Sequence, residues 1–441
     1  MCPLVKKTSS MNFQTCLLLS VATLTFSMQQ SYADSTSPTA STPSTALTRF
    51  DQRAKAGERL NVVFFGASLT WGSNASDPQR TSYRAAVARR FEAKYPKAHF
   101  RFIDAAIGGT GSQLGVFRLQ RDVLNYHPDL VFLDFSANDD ISTNDVETLS
   151  SYESLVRRVV GDAKCPLIQV IFPFRWNIGE GEMAKMKRRD AHLAISRAYG
   201  TPVGDAIALI NERVQSGTAK LDVLWPLDPV HPGDEGYDVF ASAAWDAYQG
   251  GVARKLVPHV PPKMLYNPTY LTWSRTRVSS LGTLPAGWRV GIPNRTSAYF
   301  DFLMSRWLDD EVIASNRRAV TEVGKTQSVP QTVERLKVRF RGTMVMLLGE
   351  TSLQTGKYRA YLDGKLVQRT QDRKTLTEYD PGAFGKAING NGHHVQVIAT
   401  GLNPSVDHTL EIEPLFDESK EQELRIESIC VAGGAATVFK P

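Results

Sequence analysis

The sequence has little cysteine, and this scarcity excludes several kinds of site. Only four of its 441 residues are cysteines. Cys2 and Cys16 lie near the N-terminus, which leaves Cys165 and Cys430, each beside a predicted strand. Two thiols far apart in sequence cannot form a four-ligand zinc site, and no histidine pair stands at ligand spacing with a third partner. We therefore expect no metal and no other cofactor. We also expect two separate buried thiols, although an exported protein could form one disulfide.

An excess of charge of either sign is also missing. The chain has 51 Lys and Arg residues against 45 Asp and Glu, a formal net charge of +6 that is small for this length. The basic residues are scattered among acidic ones and form no stripe interleaved with aromatics, which argues against nucleic acid as a partner. With 42% hydrophobic and 22% charged residues, the composition is that of a globular protein, and the length predicts two domains.

The sequence has no apolar run long enough to span a bilayer. The N-terminal run, residues 16–26, follows Lys6 and Lys7 and precedes a small-residue motif that ends at Ala33. This is the pattern of a cleavable signal peptide. We therefore expect residues 1–33 to be a signal peptide cut after Ala33, the mature protein to be secreted or periplasmic, and no stable membrane insertion.

A Ser/Thr/Pro-rich stretch at residues 34–48 predicts a flexible linker. Beyond it, apolar runs typical of strands alternate with segments of helical spacing. Strands are predicted at 60–66, 100–104, 130–135, 167–174 and 202–205, and helices at 83–95, 114–126, 146–160, 183–199, 206–217 and 234–249. Strands that are apolar on both faces belong in a parallel sheet covered by helices. The sequence therefore predicts a three-layer α/β/α domain over residues 49–257, with its functional site beyond the carboxyl ends of the strands.

The pattern changes after the Gly- and Pro-rich residues 250–262. Short segments then alternate polar and apolar residues, at 336–340, 357–362, 395–399, 409–413 and 424–429. Asp363-Gly364 between two such segments is a strong hairpin-turn signal. These features predict an all-β sandwich, jelly-roll-like, over residues 262–441.

Ser68 stands on the turn after the first predicted strand, in the segment Gly66-Ala67-Ser68-Leu69. Alone, this segment is equally compatible with a serine that caps a helix. Three further segments follow later strands or precede the last helix: Gly108-Gly109-Thr110-Gly111-Ser112, Ser136-Ala137-Asn138-Asp139 and Asp228-Pro229-Val230-His231-Pro232. Parallel strands end at one edge of their sheet, so we expect these segments to meet.

The four segments, in this order, resemble the four sequence blocks of the SGNH (GDSL-like) hydrolases. The resemblance covers about residues 59–250 and implies that Ser68, Asp228 and His231 are the catalytic residues. The chemistry agrees, because a serine hydroxyl needs a base such as His231 to accept its proton, and Asp228 would orient that base. One departure is visible: Ala67 stands where the family's motif has aspartate, which puts the local loop structure in question rather than the chemistry.

The resemblance also implies an oxyanion hole. Its donors would be the backbone N–H groups of Ser68 and Gly109 and the side-chain amide of Asn138. Ester hydrolysis needs such donors because negative charge develops on the carbonyl oxygen in the transition state.

Three tryptophans stand near these residues in sequence. Trp71 and Trp225 flank the serine and the histidine, and Trp176 follows the fourth strand. Each could form a wall for a sugar ring or an acyl chain, or could pack between loops. The packing interpretation is favoured for Trp176.

The appended β-sandwich looks like the accessory modules of bacterial carbohydrate esterases. This looser resemblance implies that the substrate is an acylated carbohydrate and that the reaction removes O-acetyl groups. A lipase or lysophospholipase is the alternative with the same chemistry, although no apolar, Gly-rich lid segment is visible. A glycan-binding protein on a decayed hydrolase scaffold is the alternative from another class.

Overall fold

The structure, a computed structural model, describes residues 44–294, 308–322, 325–371, 373–388 and 390–439. The predicted signal peptide and most of the predicted linker lie outside the described residues. In the part of the chain that the structure describes, no helix is both long enough and apolar enough to cross a membrane.

The first part of the chain alternates strands and helices. Its elements are α1 (Leu47–Lys55), β1 (Arg59–Gly66), α2 (Ser68–Trp71), α3 (Tyr83–Lys94), β2 (His99–Ala106), α4 (Ser112–Asp122), β3 (Leu130–Leu133), α5 (Val146–Gly161), β4 (Leu167–Ile171), α6 (Lys187–Tyr199), β5 (Val203–Asp205), α7 (Ala206–Gln215), α8 (Leu221–Leu224) and α9 (Asp234–Ala253). Short 3-10 helices lie at Leu124–Tyr126, Arg175–Asn177 and Met183–Lys185.

The five strands form one parallel sheet in the order β2-β1-β3-β4-β5. Adjacent side chains of a strand point to opposite faces, so such a sheet needs apolar cover on both sides. Phe64 of β1 packs into the apolar cluster that includes α3 and α9, and Phe65 packs into the one that includes α4 and α5. The predicted three-layer α/β/α arrangement is confirmed.

The second part of the chain is built from antiparallel strands. Its elements are β6 (Trp273–Arg277), β7 (Trp288–Gly291), β8 (Glu311–Ser315), β9 (Arg317–Glu322), β10 (Lys325–Pro330), β11 (Leu336–Arg341), β12 (Met344–Thr351), β13 (Lys357–Leu362), β14 (Lys365–Leu366), β15 (Arg369–Gln371), β16 (Lys374–Leu376), α10 (Gly382–Ile388), β17 (Gly392–Ala399), β18 (His408–Leu415), β19 (Glu423–Ala432) and β20 (Thr437–Phe439).

Two large sheets face each other in this part. One has the order β14-β13-β18-β11-β20 and the other β17-β12-β19-β8-β7, with β6 paired to β19. Apolar side chains from both sheets, among them Phe340, Leu347 and Leu410, fill the space between them. Asp363 and Gly364 both have positive φ and join β13 to β14, as the turn signal predicted. The β-sandwich expectation is confirmed.

A continuous apolar core joins the two parts. Leu114 and Phe117 of α4 share one buried cluster with Met346 and Leu348 of β12. The two cysteines also lie in this cluster as buried free thiols, so the expectation of two separate thiols is confirmed. Because one face of the sandwich is buried against the α/β part, the two are held in a fixed relationship near the carboxyl edge of the parallel sheet.

Some boundaries differ from the sequence prediction. Helix α1 begins at Leu47, inside the segment assigned to the linker, because Leu47, Phe50 and Ala54 form an apolar face that packs into the core. The predicted helix at 114–126 ends at Asp122, and the strand predicted to reach residue 174 ends at Ile171. Pro173 lies just beyond and has no N–H for the ladder.

Candidate active site

The turn after β1 carries Ser68, which begins helix α2 and is nearly buried. At position 66, the last residue of β1, only glycine fits. A Cβ atom there would lie 2.1 Å from Oγ1 of Thr70 and 2.6 Å from the carbonyl oxygen of Asp134. Gly66 thus lets Thr70 and the backbone of Asp134 pack closely against the end of β1, and β1 places the serine at the carboxyl edge of the sheet.

The structure brings Ser68, His231 and Asp228 together. The Oγ atom of Ser68 lies 3.0 Å from Nε2 of His231, within hydrogen-bonding distance. The other ring nitrogen, Nδ1, lies 3.5 Å from Oδ2 of Asp228. The histidine and the aspartate stand on the loop that precedes α9. His231 comes 163 residues after Ser68 in the sequence. The three side chains thus have the geometry of a serine–histidine–aspartate triad.

The Asp228 carboxylate is held by several hydrogen bonds. Its Oδ1 accepts from the backbone N–H groups of Val230, at 2.6 Å, and His231, at 2.8 Å. Its Oδ2 accepts from the side-chain amide of Asn74 at 2.5 Å. Burial by itself raises the pKa of Asp228, but these donors outweigh it and the pKa is lowered from its ordinary value of 3.8. Asp228 is therefore charged at neutral pH.

The pKa of His231 is lowered from its ordinary value of 6.5, because burial disfavours the charged ring more than the nearby Asp228 favours it. A neutral imidazole has one N–H and one lone pair. With Nδ1 facing a carboxylate, the proton belongs on Nδ1, which leaves the lone pair of Nε2 directed at the serine. His231 is thus in the state that accepts a proton.

Gly109 and Asn138 lie on the loops that flank Ser68. The strand order places β1 between β2 and β3, and Gly109 follows β2 while Asn138 follows β3. Gly109 has φ of +69° and is exposed, and Asn138 is half-buried. Oδ1 of Asp139 also accepts the backbone N–H of Ser112 at 2.9 Å, which ties the two loops together.

Sequence reasoning missed Asn74. It lies on the loop after α2, with φ of +67°, and its amide reaches Asp228 from a position 154 residues away. The segment Gly72-Ser73-Asn74 predicts a turn, but a turn signal does not reveal which group the side chain contacts.

The three tryptophans differ in exposure. Trp71 and Trp225 are buried among neighbouring loops, with 4% and 2% of their surface exposed, so they form no open wall. Trp176 is 53% exposed and its ring contacts that of Phe174. The preference for packing at Trp176 is therefore wrong. Its segment adjoins the loop that carries Asp228 and His231, since the N–H of Arg175 donates to the carbonyl of Pro229 at 2.9 Å.

Residues 64–239 match the GDSL-like lipase/acylhydrolase family. No curated protein matches the chain significantly. Among solved structures, a two-domain esterase (CEX) active on acetylated mannans, co-crystallised with mannopentaose, is 23% identical with a TM-score of 0.66, over 89% of this chain and 95% of that chain. A second crystal structure of a two-domain esterase (CEX) active on acetylated mannans gives a TM-score of 0.64 at the same identity, over 89% and 96%.

An acetylxylan esterase, Axe2 from Geobacillus stearothermophilus, is also 23% identical, over 44% of this chain and 96% of that one, with a TM-score of 0.37. At these identities, the similarity to the two-domain esterase establishes a shared two-domain fold. The family match covers the segment that carries the serine, the glycine, the asparagine and the histidine. The chain therefore contains a GDSL-like lipase/acylhydrolase domain of the SGNH hydrolase type, the catalytic domain of an esterase.

Proposed function

We propose that the protein is an exported serine esterase that removes O-acetyl groups from a carbohydrate through an acyl-serine intermediate. The observation that carries this proposal is the 3.0 Å approach of Ser68 Oγ to Nε2 of His231, with Asp228 behind the ring. A hydroxyl so placed can lose its proton as it attacks a carbonyl carbon.

In the first step, the Oγ atom of Ser68 bonds to the acyl carbon while its proton passes to Nε2 of His231. The carbonyl π electrons move to oxygen and give a tetrahedral oxyanion. The N–H groups of Ser68 and Gly109 and the amide of Asn138 are the proposed donors to that oxyanion. Loss of one such donor costs on the order of 3 kcal/mol in the barrier.

The tetrahedral intermediate then collapses and the bond to the sugar oxygen breaks. His231 returns its proton to that oxygen, so the sugar leaves as an alcohol. A water molecule attacks the acyl-serine with the same proton transfers, which releases the acid and restores Ser68. The charged Asp228 stabilises the imidazolium that forms in both halves of the reaction.

Three features support a carbohydrate substrate. Trp176 offers an exposed aromatic face on a segment that is hydrogen-bonded to the loop carrying Asp228 and His231. Such faces pack well against sugar rings. The two-domain esterase that shares the fold acts on acetylated mannans, so acetylated mannan is the first substrate to test. The N-terminal signal pattern agrees with an extracellular polymer as substrate.

The experiment compares acetate release from acetylated mannan, xylan, pectin and peptidoglycan with hydrolysis of long-chain esters. We expect acetate release from at least one glycan and little activity on long acyl chains. Hydrolysis of long-chain esters without acetate release would contradict the proposal and support the lipase alternative. Loss of p-nitrophenyl acetate hydrolysis in Ser68→Ala separates a catalyst from a binding protein.

A further inference from the structure

Two of the proposed oxyanion donors lie on different loops. Gly109 follows β2 and Asn138 follows β3, and the strand order places β1 between these two strands. Because β2 and β3 are not neighbours in the sheet, their ladder hydrogen bonds do not join them directly. The distance between the two donors therefore depends on contacts between the loops themselves.

Each of these loops is closed by a hydrogen bond of its own. The backbone N–H of Asp139 donates to the carbonyl of Phe135 at 3.0 Å, which closes the turn that contains the asparagine. Oγ1 of Thr110 donates to the carbonyl of Ile107 at 2.7 Å, which closes the turn that contains the glycine. A contact between the two turns would thus hold one donor at a set distance from the other.

The carboxylate of Asp139 makes this contact. Its Oδ1 accepts the backbone N–H of Ser112, the first residue of α4, at 2.9 Å. The residue before Ser112 is a glycine, which has no side chain that could cap the helix, so Asp139 caps it from the other loop. Only 6% of the Asp139 surface is exposed, and water cannot readily replace the carboxylate.

Gly111 leaves room for this carboxylate. A Cβ atom on Gly111 would lie 2.4 Å from Oδ1 of Asp139. The φ of Gly111 is −107°, a value open to any residue, so glycine is needed here for space and not for its backbone conformation. The start of α4 is also anchored, because Oγ of Ser112 lies 2.6 Å from Oγ of Ser151 on α5.

Asp139 is charged at mildly alkaline pH. Burial raises its pKa to about 6, while the positive Arg188 and the N–H of Ser112 limit the rise. Arg188 is itself held in place, since Nε donates to the carbonyl of Asp140 at 3.0 Å and Nη2 donates to Oγ1 of Thr148 at 2.6 Å. At pH 8 the hydrogen bond between Asp139 and Ser112 is therefore charge-assisted, which makes it stronger than a neutral one.

We propose that Asp139 is a positioning residue of the esterase. Its hydrogen bond to Ser112 holds the turn that carries the Asn138 amide at a set distance from the turn that carries the Gly109 N–H, so that both can reach one oxyanion. Asp139 acts through these donors and not on the substrate itself. This inference rests on the proposed function, which assigns both donors to the transition state.

The test breaks the hydrogen bond between Asp139 and Ser112 from each side. Asp139→Ala removes the acceptor. Gly111→Ala places a methyl group close to Oδ1 and displaces the carboxylate. Asp139→Asn keeps an oxygen that can accept the N–H but loses the charge.

Asp205→Ala is the matched control. Asp205 also ends a strand and caps a helix, since its Oδ1 accepts the N–H of Ala208 in α7 at 3.1 Å, and it also has an arginine partner, Arg189. It belongs to β5, at the edge of the sheet and three strands from β1. Each variant is titrated to completion with a p-nitrophenyl organophosphate, so that kcat refers to reactive serines, and is assayed with p-nitrophenyl acetate at pH 8.

For Asp139→Ala and Gly111→Ala we expect kcat to fall about 10- to 100-fold with KM nearly unchanged, because misplaced donors harm the transition state more than binding. Asp139→Asn should lose less, about 3- to 10-fold, since it keeps an acceptor. Asp205→Ala should lower thermal stability but leave kcat per reactive serine intact.

A double variant separates positioning from a general structural defect. In an Asn138→Ala background, Asp139→Ala should lower kcat by less than about threefold, because no amide is left to misplace. A general defect would lower kcat by the same factor with and without the Asn138 amide.

An unchanged kcat in either Asp139→Ala or Gly111→Ala, an equal loss in Asp205→Ala, or equal factors in the two backgrounds would overturn the inference. If Asp139→Ala does not fold, Gly111→Ala takes its place in both backgrounds, because there only the carboxylate has to move. Wild-type activity in Ser68→Ala would instead overturn the proposed function, so the two failures are distinguishable.

Discussion

The side-chain amide of Asn74 donates to Oδ2 of Asp228 at 2.5 Å, and the same carboxylate oxygen lies 3.5 Å from Nδ1 of His231. One short segment of the α/β domain, helix α2 and the loop after it, thus carries both the serine and a side chain that holds the aspartate. The position of Asp228 is set from two sides, by its own loop through backbone N–H groups and by Asn74.

We expect Asn74→Gly to lower kcat about 3- to 30-fold, because a charge-assisted hydrogen bond to the orienting carboxylate is lost. Glycine is chosen because Asn74 has φ of +67°, which alanine adopts only with strain. Asn74→Ala serves as the comparison. A kcat equal to wild type in the glycine variant, measured with p-nitrophenyl acetate, would show that Asp228 needs no such support.

The pH dependence of kcat/KM should report His231. The ring must be neutral to accept the serine proton, so activity is lost as the pH falls through its pKa. Burial lowers that pKa, and we expect the midpoint of the acid limb below the ordinary 6.5. A midpoint above 6.5 would contradict this account.

Replacement of Asp228 by Asn should change both the rate and this profile. The negative charge raises the pKa of His231, so its removal moves the acid limb to lower pH. The rate should fall by about 10²- to 10⁴-fold, because the tautomer is no longer fixed and the imidazolium loses its partner. Steady-state kinetics from pH 4 to 9 test both effects, and an acid limb that moves upward would refute the assignment.

Trp176→Ala tests the exposed aromatic face. We expect KM for acetylated mannan oligosaccharides to rise about 10-fold, since loss of a sugar-stacking contact is worth about 1.4 kcal/mol. Kinetics with p-nitrophenyl acetate should stay within about twofold, because that ester has no sugar ring to stack.

Val257→Ala is the control for this experiment. Val257 is 56% exposed, like Trp176, but lies near Gly200, which ends α6 at the opposite edge of the sheet. A KM for the oligosaccharides that is the same in both variants would show that Trp176 does not contact the sugar.

Glu153 should be a stability residue rather than a catalytic one. Its buried carboxylate accepts the backbone N–H groups of Leu265 and Tyr266, both at 2.8 Å, and the hydroxyl of Tyr199 at 3.0 Å. These contacts hold the segment that leads into the sandwich. Glu153→Gln replaces one carboxylate oxygen with an NH₂ group, which cannot accept a hydrogen bond from these donors. We expect this change to lower the free energy of unfolding by about 2–4 kcal/mol.

Thermal unfolding of Glu153→Gln beside Glu212→Gln, at an exposed position of α7, measures this effect. The Glu212 variant should melt like the wild type. Equal melting temperatures for all three proteins would mean that the carboxylate does not hold the connecting segment.

Much of the fold follows from the sequence because its cause is local. Continuous apolar runs indicate strands covered on both faces, as Phe64 and Phe65 show, and alternating segments indicate a half-exposed sheet. The proximity of Ser68 and His231 follows equally from motifs placed at strand ends, since a parallel sheet collects those ends at one edge.

The contacts that sequence reasoning missed depend on tertiary packing. Asn74 reaches Asp228 across 154 residues, and His393 reaches Gly109 from another domain. Neither contact leaves a periodic pattern in the sequence from which it could be predicted. The exposure of Trp176 and the burial of Trp225 depend on how loops pack, which residue type alone does not determine.

The most direct test of the central claim is acetate release by Ser68→Ala beside Ser73→Ala, a serine five residues further along the chain, on the loop after α2. With wild-type protein active on acetylated mannan or p-nitrophenyl acetate, the account predicts loss of at least about 10³-fold in kcat for Ser68→Ala and wild-type rates for Ser73→Ala. Equal rates for wild type and Ser68→Ala would contradict it.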